Sequence, residues 1–134
     1  MILLDTHVIV RLLSGDPRLG KRARATIDRV GRRDELFVSA ISFWEIAMLV
    51  AKHRLELDTA PSSFRARALE DGVREAPIDG EIAIVAGELP STHQDPADRL
   101  LVATAIVRGL TLLTADDVLL DWKLRGFRAQ DATV

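Results

Sequence analysis

Four carboxylates stand where chemistry would want them and where architecture alone hardly asks for them. Asp5 interrupts the aliphatic run ILLDTHVIV, and Glu45 lies amid Ile41, Phe43, Trp44, Ile46, Met48 and Leu49. Asp98 leads into Leu100, Leu101 and Val102, and Asp116 follows LTLLT after a single alanine. Taken singly, each acid has a structural use. Asp5 and Asp116 can cap the helices they begin, Ser42 and Glu45 fit an S-x-x-E capping box, and Asp98 is a first-turn acid favoured by the helix dipole. A cap need not be a carboxylate, however; serine, threonine and asparagine serve about as well. Taken together, converging buried carboxylates repel and raise one another's pKa. A divalent cation relieves both penalties, and hard cations such as Mg²⁺ and Mn²⁺ take oxygen ligands. The other way to answer these charges is a cation from the chain itself, with Lys52 and Arg99 as candidates. Of the three histidines, His7 and His93 fall near this set and His53 reads as a surface residue.

The elements that would position the acids follow from periodicity and punctuation. Strands are expected at 2–4, 36–39, 73–78 and 110–114, with a last short strand near Phe127. Helices are expected from Thr6 to near Gly15, over 20–30, over 42–55, from Pro61 to about Asp71, over 80–90, over 95–109 and over 116–126. Asp95 at the cap, Pro96 in the first turn and Gly109 at the end give the 95–109 helix clear limits. Strands and helices thus alternate at βαβ spacing, and the strands are continuous apolar runs. Both features argue for an α/β fold around a parallel sheet covered on both faces. In such a fold ligands sit beyond the carboxyl ends of the strands. Asp5 and Asp116 belong to the same edge on that reading.

Bulk composition narrows the classes. A chain of 134 residues suits one domain spanning 1–134, able to bury about two thirds of its unfolded surface. No apolar run approaches the roughly 20 residues needed to span a bilayer, and no signal-like leader is read, so a cytoplasmic protein is expected. Without cysteine, disulfides and thiolate metal sites are excluded. A net charge of −2 excludes nucleic-acid binding by global charge. The local exception is residues 18–33, where Arg18, Lys21, Arg22, Arg29, Arg32 and Arg33 gather on one helical face and Leu19, Ala23, Ile27 and Val30 on another. That basic face is either solvated or a contact surface for RNA or an acidic partner. Leu12, Leu13, Trp44 and Met48 are core or a groove for a partner helix, and Trp44 is read as core.

Three ordered segments carry a likeness: LLDTHVIVRLL, then SAISFWEIAMLVAKHRLEL, then HQDPADRLLVATAIVRGLTLLTAD. Together they resemble the PIN domain, in particular a bacterial VapC-type toxin of a type II toxin–antitoxin pair. The resemblance implies a PIN-like α/β/α sandwich with a central parallel sheet, usually dimeric. It implies an Mg²⁺- or Mn²⁺-dependent ribonuclease, with a cognate VapB-type antitoxin as partner and RNA as substrate. Residue by residue, the family's acidic cluster maps onto Asp5, Glu45, Asp98 and Asp116. Asp5 and Asp98 match its best-supported metal ligands, and Asp116 is the fourth acid with Asp117 as its neighbouring alternative. Thr6 and Thr114 match small hydroxyl positions beside the acids; Asp95 and His93 belong to the motif, Asp95 as the helix cap behind the ligands. Arg11, Gln94 and Ala97 depart from the pattern, which touches the substrate surface and removes no acid.

The chemistry so implied is metal-assisted attack of water on a phosphodiester, leaving a 5′-phosphate and a 3′-hydroxyl. Three other classes compete with it. A phosphatase with an aspartyl nucleophile would want a second Asp two residues after Asp5, where His7 stands. A non-catalytic binding module should have lost an acid. A scaffold would use its acids only as caps and in ion pairs.

Overall fold

Alternation along the first strand sets the layers. In the computed structural model, which describes residues 1–134, Ile2 and Leu4 of β1 (Ile2–Leu4) face one core and Leu3 the other, since successive side chains of a strand point to opposite sides. Leu113 and Leu112 of β4 (Thr111–Thr114) divide in the same way. The remaining strands are β2 (Leu36–Ser39), β3 (Arg74–Ala76) and β5 (Arg128–Asp131). All pair in parallel in the order β3-β2-β1-β4-β5, so β1 is central.

Seven helices join them. α1 (Thr6–Ser14) and α2 (Lys21–Gly31) link β1 to β2, and α3 (Ala40–Ala51) and α4 (Pro61–Glu70) link β2 to β3. α5 (Gly80–Glu88) and α6 (Pro96–Arg108) link β3 to β4, and α7 (Asp117–Leu120) links β4 to β5. One core cluster joins β1 to Val8 and Ile9 of α1, Ala23, Ile27 and Val30 of α2, and Ile46 of α3. The opposite cluster packs Leu101, Val102 and Ala105 of α6 and Leu119 of α7 on Leu3 and Leu112. Each fully buried leucine here is stabilised by about 1.5–3 kcal/mol relative to exposure. The outcome is the expected α/β/α sandwich. No helix is long and apolar enough to cross a membrane.

Four expectations are corrected. α3 starts at Ala40, because Ser39 accepts the Ile41 amide as its cap; Ser42 and Glu45 therefore form no capping box. The same helix ends at Ala51, not at residue 55. α7 stops at Leu120, and Trp122, Leu124 and Phe127 pack on the α6-side core from irregular chain, with a turn closed by the Phe127 amide on Leu124 O. Trp44 is 55% exposed, because α3 buries its Ser42–Ile46 face and turns the indole outward.

Two glycines answer a steric demand. Gly109 ends α6 at φ 66°, a left-handed conformation that a Cβ disfavours. Gly20 admits the tail: an ideal Cβ there would stand 2.3 Å from the carbonyl carbon of Val134 and 2.6 Å from that of Thr133. The tail in turn accepts the Gly20 amide on Ala132 O and the Arg22 amide on Val134 O, answering open donors at the start of α2. Gly20→Ala is expected to cost about 1–3 kcal/mol, the usual range for overpacking. Urea denaturation measures that loss, and hydrogen exchange should show the Gly20 and Arg22 amides losing protection first.

Candidate metal and nucleic-acid site

Strand order reverses direction of growth between β1 and β4, and a parallel sheet opens a crevice at that point beyond its carboxyl ends. Here the crevice is a cleft of about 440 Å³. Its walls include Asp5, Glu45, Asp95, Asp98 and Asp116, together with Thr6, His7 and Arg11. Asp16 and Arg18 complete one rim, and they are bonded to each other at 2.7 Å. Arg18, expected on the basic face of residues 18–33, instead lies in the turn before α2 and reaches the cleft.

Asp5 is 4% exposed. It caps α1, taking the Thr6 amide on Oδ1 at 2.7 Å, while Thr114 donates its hydroxyl to Oδ2 at 2.7 Å. The Thr114 oxygen also accepts the Asp116 amide at 3.0 Å, so one hydroxyl joins the ends of β1 and β4. Thr114 thus serves the acids without lining the cleft. Asp116 caps α7 through Val118 N at 2.9 Å and faces the cleft, whereas Asp117 is exposed and does not. Capping and cleft-lining therefore coexist in the same residues.

Glu45 reaches the cleft from α3. Burial raises its pKa, and the charges of Asp5 and Asp95 add to this; a hydrogen bond from Thr6 opposes it. The Thr6 hydroxyl has one proton to give, and in the structure it goes to Ser42 Oγ at 2.9 Å, so it relieves Glu45 only by turning from Ser42. Asp98 is pushed up to about 6, chiefly by burial, with Asp95 and Asp5 adding repulsion and His93 partly offsetting it. Asp95 caps α6, accepting the Asp98 amide at 3.1 Å.

No lysine or arginine is bonded to any of the four principal acids; the basic side chains nearest Asp5 and Asp98 are the imidazoles of His7 and His93. Lys52 is exposed without an ion pair. Arg99 spends its guanidinium on the carbonyls of Ala86, Gly87, Leu89, Pro90 and His93. Its role is to fold the α5–α6 connection, which its position beside Asp98 in sequence did not disclose. His7 accepts the Ala115 amide on Nε2, and burial holds its pKa below the ordinary imidazole value, so it brings no positive charge to Asp5 at neutral pH.

The donor set suits a hard cation. With Nε2 of both neighbouring imidazoles already engaged, the anionic donors facing the cleft are carboxylate oxygens, as Mg²⁺ and Mn²⁺ prefer. The acids do not form a closed cage: no three His, Asp or Glu side chains stand together as a ready-made ligand group. Mg²⁺ ordinarily keeps several waters and binds one or two carboxylates plus substrate phosphate, so an open acidic cleft is a fitting host.

Comparison with known proteins bears on the family and the fold. Residues 2–122 match the PIN domain family. Ribonuclease VapC22 of Mycobacterium tuberculosis is 39% identical over 116 residues, covering 86% of each chain. Among solved structures, a chain of VapBC2 from Rickettsia felis, bound to a DNA fragment from their promoter, superimposes with a TM-score of 0.74 at 17% identity, covering 98% of both chains. FitAcB from Neisseria gonorrhoeae gives 0.61 at 30% identity, covering 87% of this chain and 88% of that one.

The elevated pKa of Asp98 has a sign that stability can read. Between about pH 4 and pH 6 the folded chain keeps a proton that the unfolded chain has released, so stability falls as pH rises through that window. Asp98→Asn removes the penalty and keeps an acceptor for His93. Without divalent ions, the variant is expected to be more stable than wild type by about 1–3 kcal/mol above pH 6, with the gap closing below about pH 4. Urea titrations at a series of pH values check this; a gap independent of pH would contradict the assignment.

Proposed function

The chain belongs to the PIN-domain family, and from that premise we propose that it is a divalent-metal-dependent endoribonuclease, the toxin of a type II toxin–antitoxin pair. One observation carries the reading: Asp5, Glu45, Asp98 and Asp116 line a single cleft with no lysine or arginine bonded to them. A scaffold that used its acids for caps and ion pairs has no reason to gather four of them in one cleft with no lysine or arginine bonded to any.

Asp5, Asp98 and Asp116 are assigned to hold Mg²⁺ or Mn²⁺, with Thr114 fixing the Asp5 carboxylate and Asp95 fixing the start of α6. A divalent cation at such a site supplies activation of water and offsets the negative charge that builds on phosphorus. Glu45, whose proton affinity is raised by burial, is assigned to orient the attacking water and to take its proton. The water oxygen bonds to phosphorus, the bond from phosphorus to the 3′ oxygen breaks, the leaving 3′ oxygen takes a proton from solvent, and a 5′-phosphate and a 3′-hydroxyl result. An unstacked stretch of RNA suits an open cleft better than a rigid duplex does. A VapB-type antitoxin is the partner this reading expects, and the resemblance to VapBC2 supports it; a homodimer is the expected assembly of the toxin.

Two measurements test this. Cleavage of a mixed RNA pool should need Mg²⁺ or Mn²⁺, stop with EDTA, and fall at least about 100-fold in Asp98→Asn, as loss of a main charge-bearing group requires. Activity that survives both EDTA and the substitution would exclude the mechanism. Co-expression with the adjoining reading frame should rescue growth and yield a co-purifying complex; failure of both removes the antitoxin assignment.

A further inference from the structure

Asp98 occupies the third position of α6, behind its Asp95 cap. An acid at that position commonly turns back to the amide of the cap residue. Here it does not: Asp98 Oδ2 meets His93 Nε2 at 2.9 Å. A carboxylate accepts, so Nε2 carries the proton in that bond. Both side chains are well covered, at 15% exposure for His93 and 19% for Asp98.

His93 is itself held from two sides. Its carbonyl oxygen accepts from Arg99 at 2.8 Å, one of the five carbonyls that fasten the α5–α6 connection to α6. Its ring lies against the Trp122 indole, with centroids 4.9 Å apart and planes tilted by 35°. Trp122 follows α7, the helix that Asp116 caps, so one short segment carries a cleft acid and the platform for the histidine that directs another. An aspartate side chain has two free torsions, and a ligand must be aimed closely for its metal to bind well.

Resting on the metal-site reading above, we infer that His93 is a positioning residue, seated between Trp122 and Arg99, which turns the Asp98 carboxylate away from its own helix and into the cleft. Oδ2 is occupied by the imidazole N–H and Oδ1 is left for the cation. Trp122 acts one step further out, by keeping the ring from rotating.

The test uses the full chain with Mn²⁺ alone and then with RNA. Mn²⁺ should raise the thermal midpoint of wild type, and the concentration needed should rise about 10- to 100-fold in His93→Ala, the usual cost of removing such a support. His93→Gln can place an amide N–H near the same point and should recover most of the loss. Trp122→Phe, which keeps a smaller ring, should fall between wild type and His93→Ala. In RNA cleavage at fixed, subsaturating Mn²⁺, His93→Ala should lower kcat and leave KM within about twofold, because the residue is assigned to the metal ligand and not to RNA. A wild-type Mn²⁺ response that His93→Ala retains, while Asp98→Asn abolishes it, overturns this inference and leaves the ribonuclease reading standing. Failure of His93→Gln to recover any response also overturns it. No Mn²⁺ response in wild type overturns the metal site and this inference together.

Discussion

Asp5 is a carboxylate almost withdrawn from water, with Glu45, Asp95, Asp98 and Asp116 around the same cleft and no lysine or arginine bonded to it. Such a charge is tolerable only if something else answers it. In the protein alone the answer is the Thr6 amide at the start of α1 and the Thr114 hydroxyl at the end of β4. These two contacts hold one oxygen pair, and the rest of the crowd is left to repel. Repulsion and burial show in the raised pKa values of Glu45 and Asp98. Most of the structure around the cleft can be understood as keeping these groups together against that tendency. The switch in strand order supplies the crevice, and the caps of α1, α6 and α7 fix the backbones that bear three of the acids.

Much of this was legible in the chain. The first strand has the limits its ILL run suggested, and the helix after Asp95 has the limits set by its cap, its proline and Gly109. These signals are local, and local sterics and hydrogen bonding decide them. The acids could also be named, because a carboxylate inside an apolar stretch stands out against its neighbours. What could not be read was pairing at a distance. Thr114 was seen as a small hydroxyl beside an acid, but its bond to Asp5 spans 109 positions. Arg99 looked like a counter-ion for Asp98, yet its reach is set by how the α5–α6 connection folds, and it goes to five carbonyls. Trp44 failed for a related reason: α3 is apolar on nearly all sides, so periodicity does not say which face the core will take. The α7 region failed because partly buried apolar side chains in irregular chain mimic a helix in composition.

Arg99 also shows why position in a motif is a poor guide to chemistry. A guanidinium offers five N–H donors in a fixed planar fork, and all five contacts here go to backbone oxygens around one loop. Two of those oxygens, on Ala86 and Gly87, lie in the last turn of α5, where carbonyls otherwise lack partners. A lysine, with a compact charge and three donors, could not span the same set. The arginine of the D-x-x-D-R stretch is in this sense an organiser of the chain that leads into the cleft, and its charge is spent before it can reach an acid.

The bond from Thr114 to Asp5 bears on how the protein comes into being. A chain emerging from the ribosome presents β1 well before β4, and β1 lies between β2 and β4 in the finished sheet. Until the segment through Asp116 is outside the exit tunnel, Asp5 lacks its hydroxyl partner and the cleft lacks a wall. Native pairing of this long range is slow and comes late. A copy that stops before β4 therefore has no assembled acidic centre, because Asp5 lacks the Thr114 hydroxyl and the cleft lacks Asp116.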